Sequence, residues 1–201
     1  MKILAFSDLH MARARAAELV AASAEADLVI GAGDFCNHRA GLDEAMEMLS
    51  GITAPIIAVP GNAESAEELR AAALPNMTVL HGEATTWDDL TVFGLGYGVP
   101  TTPFGSWSCD LDEDAAAALL SHCEMADILV LHSPPKGVAD LTSNDLSVGS
   151  TAIRDAIARI QPQLAVCGHI HDSWGKTGMI GATRVVNLGP RPNWFDITPG
   201  S

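Results

Sequence analysis

Leu164-Ala165-Val166-Cys167-Gly168-His169-Ile170-His171 is the stretch on which the fold turns. Its first four residues are apolar without alternation, as in a short strand buried on both faces. A glycine and two histidines follow at once. The same pattern opens the chain, where Lys2-Ile3-Leu4-Ala5-Phe6-Ser7 runs into Asp8-Leu9-His10. It recurs where Leu28–Ala32 meets Gly33-Asp34, where Pro55–Val59 meets Pro60-Gly61-Asn62, and where Ile128–Leu131 meets His132. Five strand ends thus deliver Asp8, His10, Asp34, Asn62, His132, His169 and His171. Oxygen and imidazole donors of this kind suit Mn, Fe, Zn, Ni or Co. They are too many for one tetrahedral site, so the pattern predicts two divalent metal ions. Asp34, with two carboxylate oxygens beside flexible Gly33, is the natural bridge. A single-iron triad of Asp8, His10 and one distal His leaves Asn62, His132 and His169 idle.

Working outward, helical spacing predicts helices over 12–26, 42–49, 65–73, 112–121 and 151–160. Ser65 and Glu68 form a capping-box pair. The middle differs: 78–80, 84–87 and 90–93 are short, turn-separated runs that predict antiparallel pairing. Gly94, Gly96 and Gly98 precede no helix, so they make no dinucleotide fingerprint. Residues 99–111 read as a loop walling the active site, and 177–188 and 194–197 as closing β segments. The sum is an α/β chain: two mixed β-sheets packed face to face with helices on the outer faces, in a single domain over 1–201.

The chain has 201 residues, 48% of them hydrophobic, and a formal net charge of -14. That charge repels polyphosphate backbones and argues against long nucleic acid as a partner. It leaves room for a small phosphate ester, because bound divalent cations reverse the local field. No apolar run is long enough to span a bilayer. After Lys2 the apolar run lasts only to Phe6, unlike a signal peptide. These features predict a cytoplasmic protein with no membrane partner, and they leave oligomeric state open. Cys36, Cys109, Cys123 and Cys167 show no metal or redox spacing and read as reduced thiols, with Cys36 a packing residue. His81 and His122 read as surface residues.

The ordered blocks Asp8-x-His10, Gly33-Asp34, Gly61-Asn62, His132 and Gly168-His169-x-His171 resemble those of the calcineurin-like metallophosphoesterase superfamily. His132-Ser133-Pro134-Pro135 and Asn187-Leu188-Gly189-Pro190 further resemble its bacterial branch of predicted Icc-related phosphoesterases. The resemblance implies a four-layer αββα sandwich. It assigns Asp8, His10 and His171 to one metal, Asn62, His132 and His169 to a second, and Asp34 to both, with Mn favoured. It implies hydrolysis of a small phosphate ester by a hydroxide held between the metals. Cyclic nucleotides are a candidate suggested by the resemblance alone. A catalytically weak scaffold module is the alternative, but such members tend to lose ligands, and all seven are present here.

One position departs from that pattern. Many members carry His directly after the metal-binding Asn, and this chain has Ala63. Alanine cannot donate a proton, and a site with one cationic group fewer suits a singly charged diester. The expectation is therefore a phosphodiesterase rather than a phosphomonoesterase. His38 as acid and Arg39 as a phosphate contact are the candidate compensations, the alternative for both being a solvated start to the next helix. Glu64 is expected to cap the next helix, the alternative being that it holds the Asn62 loop, and Phe104 and Trp107 to pin their loop, the alternative being that they stack on a base.

Overall fold

The structure is a computed structural model, and it describes residues 1–198. Strands β1 (Lys2–Phe6), β2 (Leu28–Gly31), β3 (Ile56–Ala58) and β4 (Met77–Val79) run parallel. Helices α1 (Arg13–Ser23), α2 (Leu42–Leu49) and α3 (Ala66–Ala72) connect them. The second sheet holds β5 (Glu83–Trp87), β6 (Leu90–Leu95), β7 (Ile128–Leu131), β8 (Leu164–Cys167), β9 (Thr177–Ile180) and β10 (Thr183–Asn187), with α4 (Glu113–Leu120) and α5 (Thr151–Ile160) between strands. β11 (Asn193–Asp196) returns to pair antiparallel with β1. The sheet orders are β11-β1-β2-β3-β4 and β5-β6-β7-β8-β10-β9.

Side-chain alternation explains why two sheets must stack. Ile3, Leu28 and Ile30 of the first sheet meet Val92, Val130, Val166 and Val186 of the second in one buried cluster. The opposite faces are as apolar. Leu4, Phe6 and Val29 pack on Leu19, Met46, Leu49 and Leu69 of the helices, and Phe93, Leu129 and Val185 pack on Leu120, Ile153 and Ile157. Strands buried on both sides need helices outside and a partner sheet inside, which gives the predicted four layers.

One segment differs from its expected pairing. β4 joins β3 in parallel rather than forming a meander with β5, whereas β5 and β6 do pair antiparallel. The reason is α3, a crossover of the kind parallel pairing requires. The Ser65–Glu68 capping box is present at its start. Helix α1 ends at Ser23 rather than Ala26. All four cysteines are unpaired. Among the described residues no helix is long and apolar enough to cross a membrane.

Candidate metal centre

β1, β2, β3, β7 and β8 all point their C-terminal ends at one edge of the sandwich, where ligands of open α/β sheets gather. Backbone bonds lace the loops beyond them together. The Asp8 N–H donates to the Gly33 carbonyl (2.9 Å), His10 N–H to Asp34 (3.0 Å), and Gly168 N–H to His132 (2.9 Å). Approach this close leaves no room for side chains at two glycines. A Cβ on Gly61 would lie 2.0 Å from Asp34 Oδ1, and one on Gly168 would lie 2.4 Å from Asp8 Oδ2. Asp8, His10, Asp34 and His169 each have positive φ, a conformation that non-glycine residues hold only where the surroundings enforce it.

The sequence-predicted residues come together in two groups. Ligand atoms of Asp8, His10 and His171 lie within 4.8 Å of one another, as do those of Asp34, His132 and His169. Asn62 completes the second group, its Oδ1 standing 3.1 Å from His132 Nε2 and 3.0 Å from His169 Nδ1. Asp34 faces both groups. Its Oδ2 is 3.4 Å from His10 Nε2 and its Oδ1 is 3.5 Å from His132 Nε2.

The hydrogen bonds around the groups fix which atoms face inward. His132 Nδ1 donates to the Ala32 carbonyl (2.8 Å), and His10 Nδ1 donates to the Cys36 carbonyl (3.1 Å). A carbonyl only accepts, so Nδ1 carries a hydrogen in each ring and Nε2 is the atom turned toward the centre, with a lone pair to offer when the ring is neutral. There it meets another acceptor: Asn62 Oδ1 for His132, and Asp34 Oδ2 for His10. Asn62 is oriented in turn by the 98–110 loop. Its Nδ2 donates to Ser108 Oγ (3.0 Å), which donates to Asp110 Oδ1 (2.9 Å). Asp8 accepts from Ser7 Oγ (2.6 Å), Trp174 Nε1 (3.0 Å) and the His169 N–H (3.0 Å). Inward lone pairs that face one another across both groups repel unless positive charge lies between them. The donor set therefore fits divalent cations, with the outer ring nitrogens held by carbonyls as metal-ligating histidines generally are.

Electrostatics agree. Burial pushes His169 well below the usual imidazole value, aided by repulsion from the other rings, and burial likewise lowers His171. Both favour neutral ligating rings. At His132 burial also opposes the charged ring, but Asp34 and Asp8 outweigh it and raise the value. The carboxylate field thus calls for positive charge at His132 Nε2.

Several expectations need correction. Arg39 does not face the centre: its guanidinium is held by Glu68 through two contacts of 2.7 Å. Glu64 does not cap a helix. It is fully buried and accepts from the backbone N–H groups of Asp34 (2.8 Å), Gly61 (2.7 Å) and Phe35 (3.3 Å), pinning the Asp34 and Asn62 loops. Burial and then the Asp34 charge raise its carboxyl to about 7. His38, Phe104 and Trp107 line the cavity over the centre, beside Ala63. His81 is half-buried, its ring tilted against Tyr97 and accepting from Gly96 N–H. Cys36 is a packing residue as expected, its thiol donating to the Ala63 carbonyl. Ser7, Ser108 and Trp174 were not foreseen as supports. Only Trp174, one helical turn beyond His171, offered a signal in the sequence.

The Calcineurin-like phosphoesterase superfamily domain matches residues 1–199 of the chain. The human protein "Metallophosphoesterase domain-containing protein 1" is 35% identical over 107 residues, a stretch covering 49% of this chain but only 32% of the human protein. The crystal structure of TT1561 of Thermus thermophilus superposes with a TM-score of 0.76 at 19% identity, covering 97% of this chain and 98% of that one. A structure described as that of "a Novel Archaeal Phosphodiesterase" superposes with a TM-score of 0.55 at 16% identity, over 94% of this chain and 84% of that one. Sequence blocks, sheet order and whole-length match agree, and the chain belongs to the calcineurin-like phosphoesterase superfamily.

Proposed function

We propose that the chain is a phosphoesterase with a dinuclear divalent metal centre, Mn favoured, that prefers small phosphodiesters to monoesters. The observation carrying this reading is Asp34, which presents one carboxylate oxygen to each histidine group. Asp8, His10 and His171 would hold one ion, Asn62, His132 and His169 the other, and Asp34 both. Two such ions supply Lewis acidity at phosphorus and an acidified water.

The chain's own residues do the rest. The Nδ1 bonds of His10 and His132 hold their rings in the ligating tautomer, and Ser108 keeps the Asn62 oxygen inward. Phe104, Trp107 and Ile170 present apolar surface on one side of the cavity. His38 lines the same cavity outside both ligand groups, and we assign it the proton delivered to the departing ester oxygen. The preference for diesters rests on charge. Ala63 replaces a proton donor, Arg39 is tied to Glu68, and among the described residues no Lys or Arg lines this cavity. A monoanionic diester asks least of such a site. Four unpaired cysteines fit the cytoplasmic placement.

Hydrolysis of bis(p-nitrophenyl) phosphate and p-nitrophenyl phosphate by metal-stripped protein, with and without Mn, tests this. The expected result is Mn-dependent turnover with the higher kcat/KM for the diester. A higher value for the monoester overturns the diester preference. No turnover of either with Mn, Fe, Zn, Ni or Co overturns the enzymatic reading.

The Ser108→Ala variant checks the orientation of Asn62. Its amide nitrogen then loses its acceptor, and the carboxamide is free to rotate. Loss of such an outer support typically costs about 10–100-fold in metal affinity or activity. Mn titration should show this weakening at one of two sites, with the melting temperature nearly unchanged. Two unaltered sites would remove Ser108 from the machinery.

A further inference from the structure

The cavity over the metal centre is not evenly polar. On one side stand the ligand groups and on the other a flat aromatic wall. Phe104 and Trp107 lie nearly parallel, 6° apart with ring centroids at 5.7 Å. His38 packs against Trp107 with centroids 4.2 Å apart, and Phe104 approaches the His169 ring at 6.4 Å. Phe104 is 50% exposed at the cavity, with one ring face packed toward Trp107 and the other open. The wall is braced rather than loose: Ser108 and Asp110 tie its loop to Asn62, and the Cys109 N–H donates to the Asn62 carbonyl (2.9 Å). An exposed ring held in fixed relation to a candidate metal ligand is a recognition surface.

The wall also continues. Phe104, Thr142, His169 and Ile170 line both this cavity and a second one, which extends over Val99, Pro100 and Val148. The cation in that extension, Lys136, points its ammonium at the Ser147 carbonyl. The guanidinium side chains Arg15 and Arg191 line a separate cavity beside Trp174. On the Phe104 side, then, an ester substituent meets the Phe104 ring, aliphatic surface and threonines, with one carboxylate, Glu113, and one ammonium, Lys136, balancing each other in the extension.

Resting on the phosphodiesterase reading, we propose that the Phe104–Trp107 wall is the subsite for a planar, uncharged aromatic substituent of the phosphodiester, stacked on the exposed face of Phe104. Stacking tolerates many ring identities, because every aromatic group has a π-face. The subsite selects planarity and neutrality.

Two inert diester mimics test this without turnover. Diphenylphosphinate and dimethylphosphinate each carry one negative charge and no ester bond to cleave. Calorimetric titration into Mn-loaded protein should give the diphenyl compound an advantage of about tenfold. Phe104→Ala should bring that ratio close to one, and Phe104→Tyr, which keeps the ring face, should retain it. Phe104 sits on an exposed loop, so neither variant threatens folding. A wild-type ratio near one overturns the subsite, and so does a ratio untouched by Phe104→Ala. If neither phosphinate binds the Mn-loaded protein, the phosphoesterase reading itself fails and the subsite falls with it.

Discussion

Asp34→Asn is expected to lower kcat/KM by about 10³-fold or more, a loss on the order of 4 kcal/mol in the transition state. Asp34 is 4% exposed and is the side chain that faces both ligand groups. An Asn in its place has one acceptor oxygen, so one of the two groups must face an amide N–H instead. Metal analysis of the purified variant should then show one ion or fewer per chain, against two for the wild type. The stability of the metal-free protein should move the other way. Asp34 and Glu64 are both buried, and after burial the Asp34 charge is what raises the Glu64 carboxyl. Neutralising one relieves repulsion, while the remaining oxygen can still accept from the Ala63 N–H, now at 2.8 Å. Metal-free Asp34→Asn should therefore melt no lower than metal-free wild type. Full metal content together with activity within tenfold of wild type would refute the bridging role.

Glu64→Ala is expected to destabilise the fold by about 4 kcal/mol, because it leaves several buried N–H groups without an acceptor at roughly 1–3 kcal/mol each. The donors belong to Asp34, Phe35 and Gly61, with Cys36 at 3.4 Å as a weaker fourth. For a domain of this size the melting temperature should fall by about 8–16 °C. Glu64→Gln should lie between wild type and Glu64→Ala, since its one oxygen satisfies some donors while its amide N–H₂ confronts the rest. Activity should fall in both, because the same N–H groups set the positions of Asp34 and Asn62. A melting temperature for Glu64→Ala within 2 °C of wild type would show that water replaces the carboxylate without cost.

These two residues mark how far the sequence could be read. Asp34 announces itself: a carboxylate directly after an apolar strand and a glycine, in a chain where four other strands end alike. Glu64 does not. In sequence it is an acidic residue near a helix start, where capping is the ordinary role, and its true partners are 28–30 residues away or across a turn. Arg39 fails in the opposite direction. Its nearness to Asp34 in the chain suggested a phosphate contact, but its backbone has positive φ and its side chain reaches Glu68 on α3. Phe104 and Trp107 were legible as aromatic residues of a loop walling the active site, but their parallel packing and the half-exposed Phe104 ring were not.

Local rules suffice for the four-layer architecture and the seven candidate ligands. Apolar runs too short for helices must be buried strands, and polar donors at their ends share one edge of the sheets. What surrounds the ligands belongs to the packed chain: the Glu64 clamp, the Trp174 bond to Asp8, the Ser108 bond to Asn62 and the aromatic wall. Each joins segments distant in the chain or turns a loop side chain toward one of several faces. Periodicity cannot specify such contacts, because a hydrogen bond or a stacked ring depends on position to within a few tenths of an ångström, and only close packing fixes positions that finely.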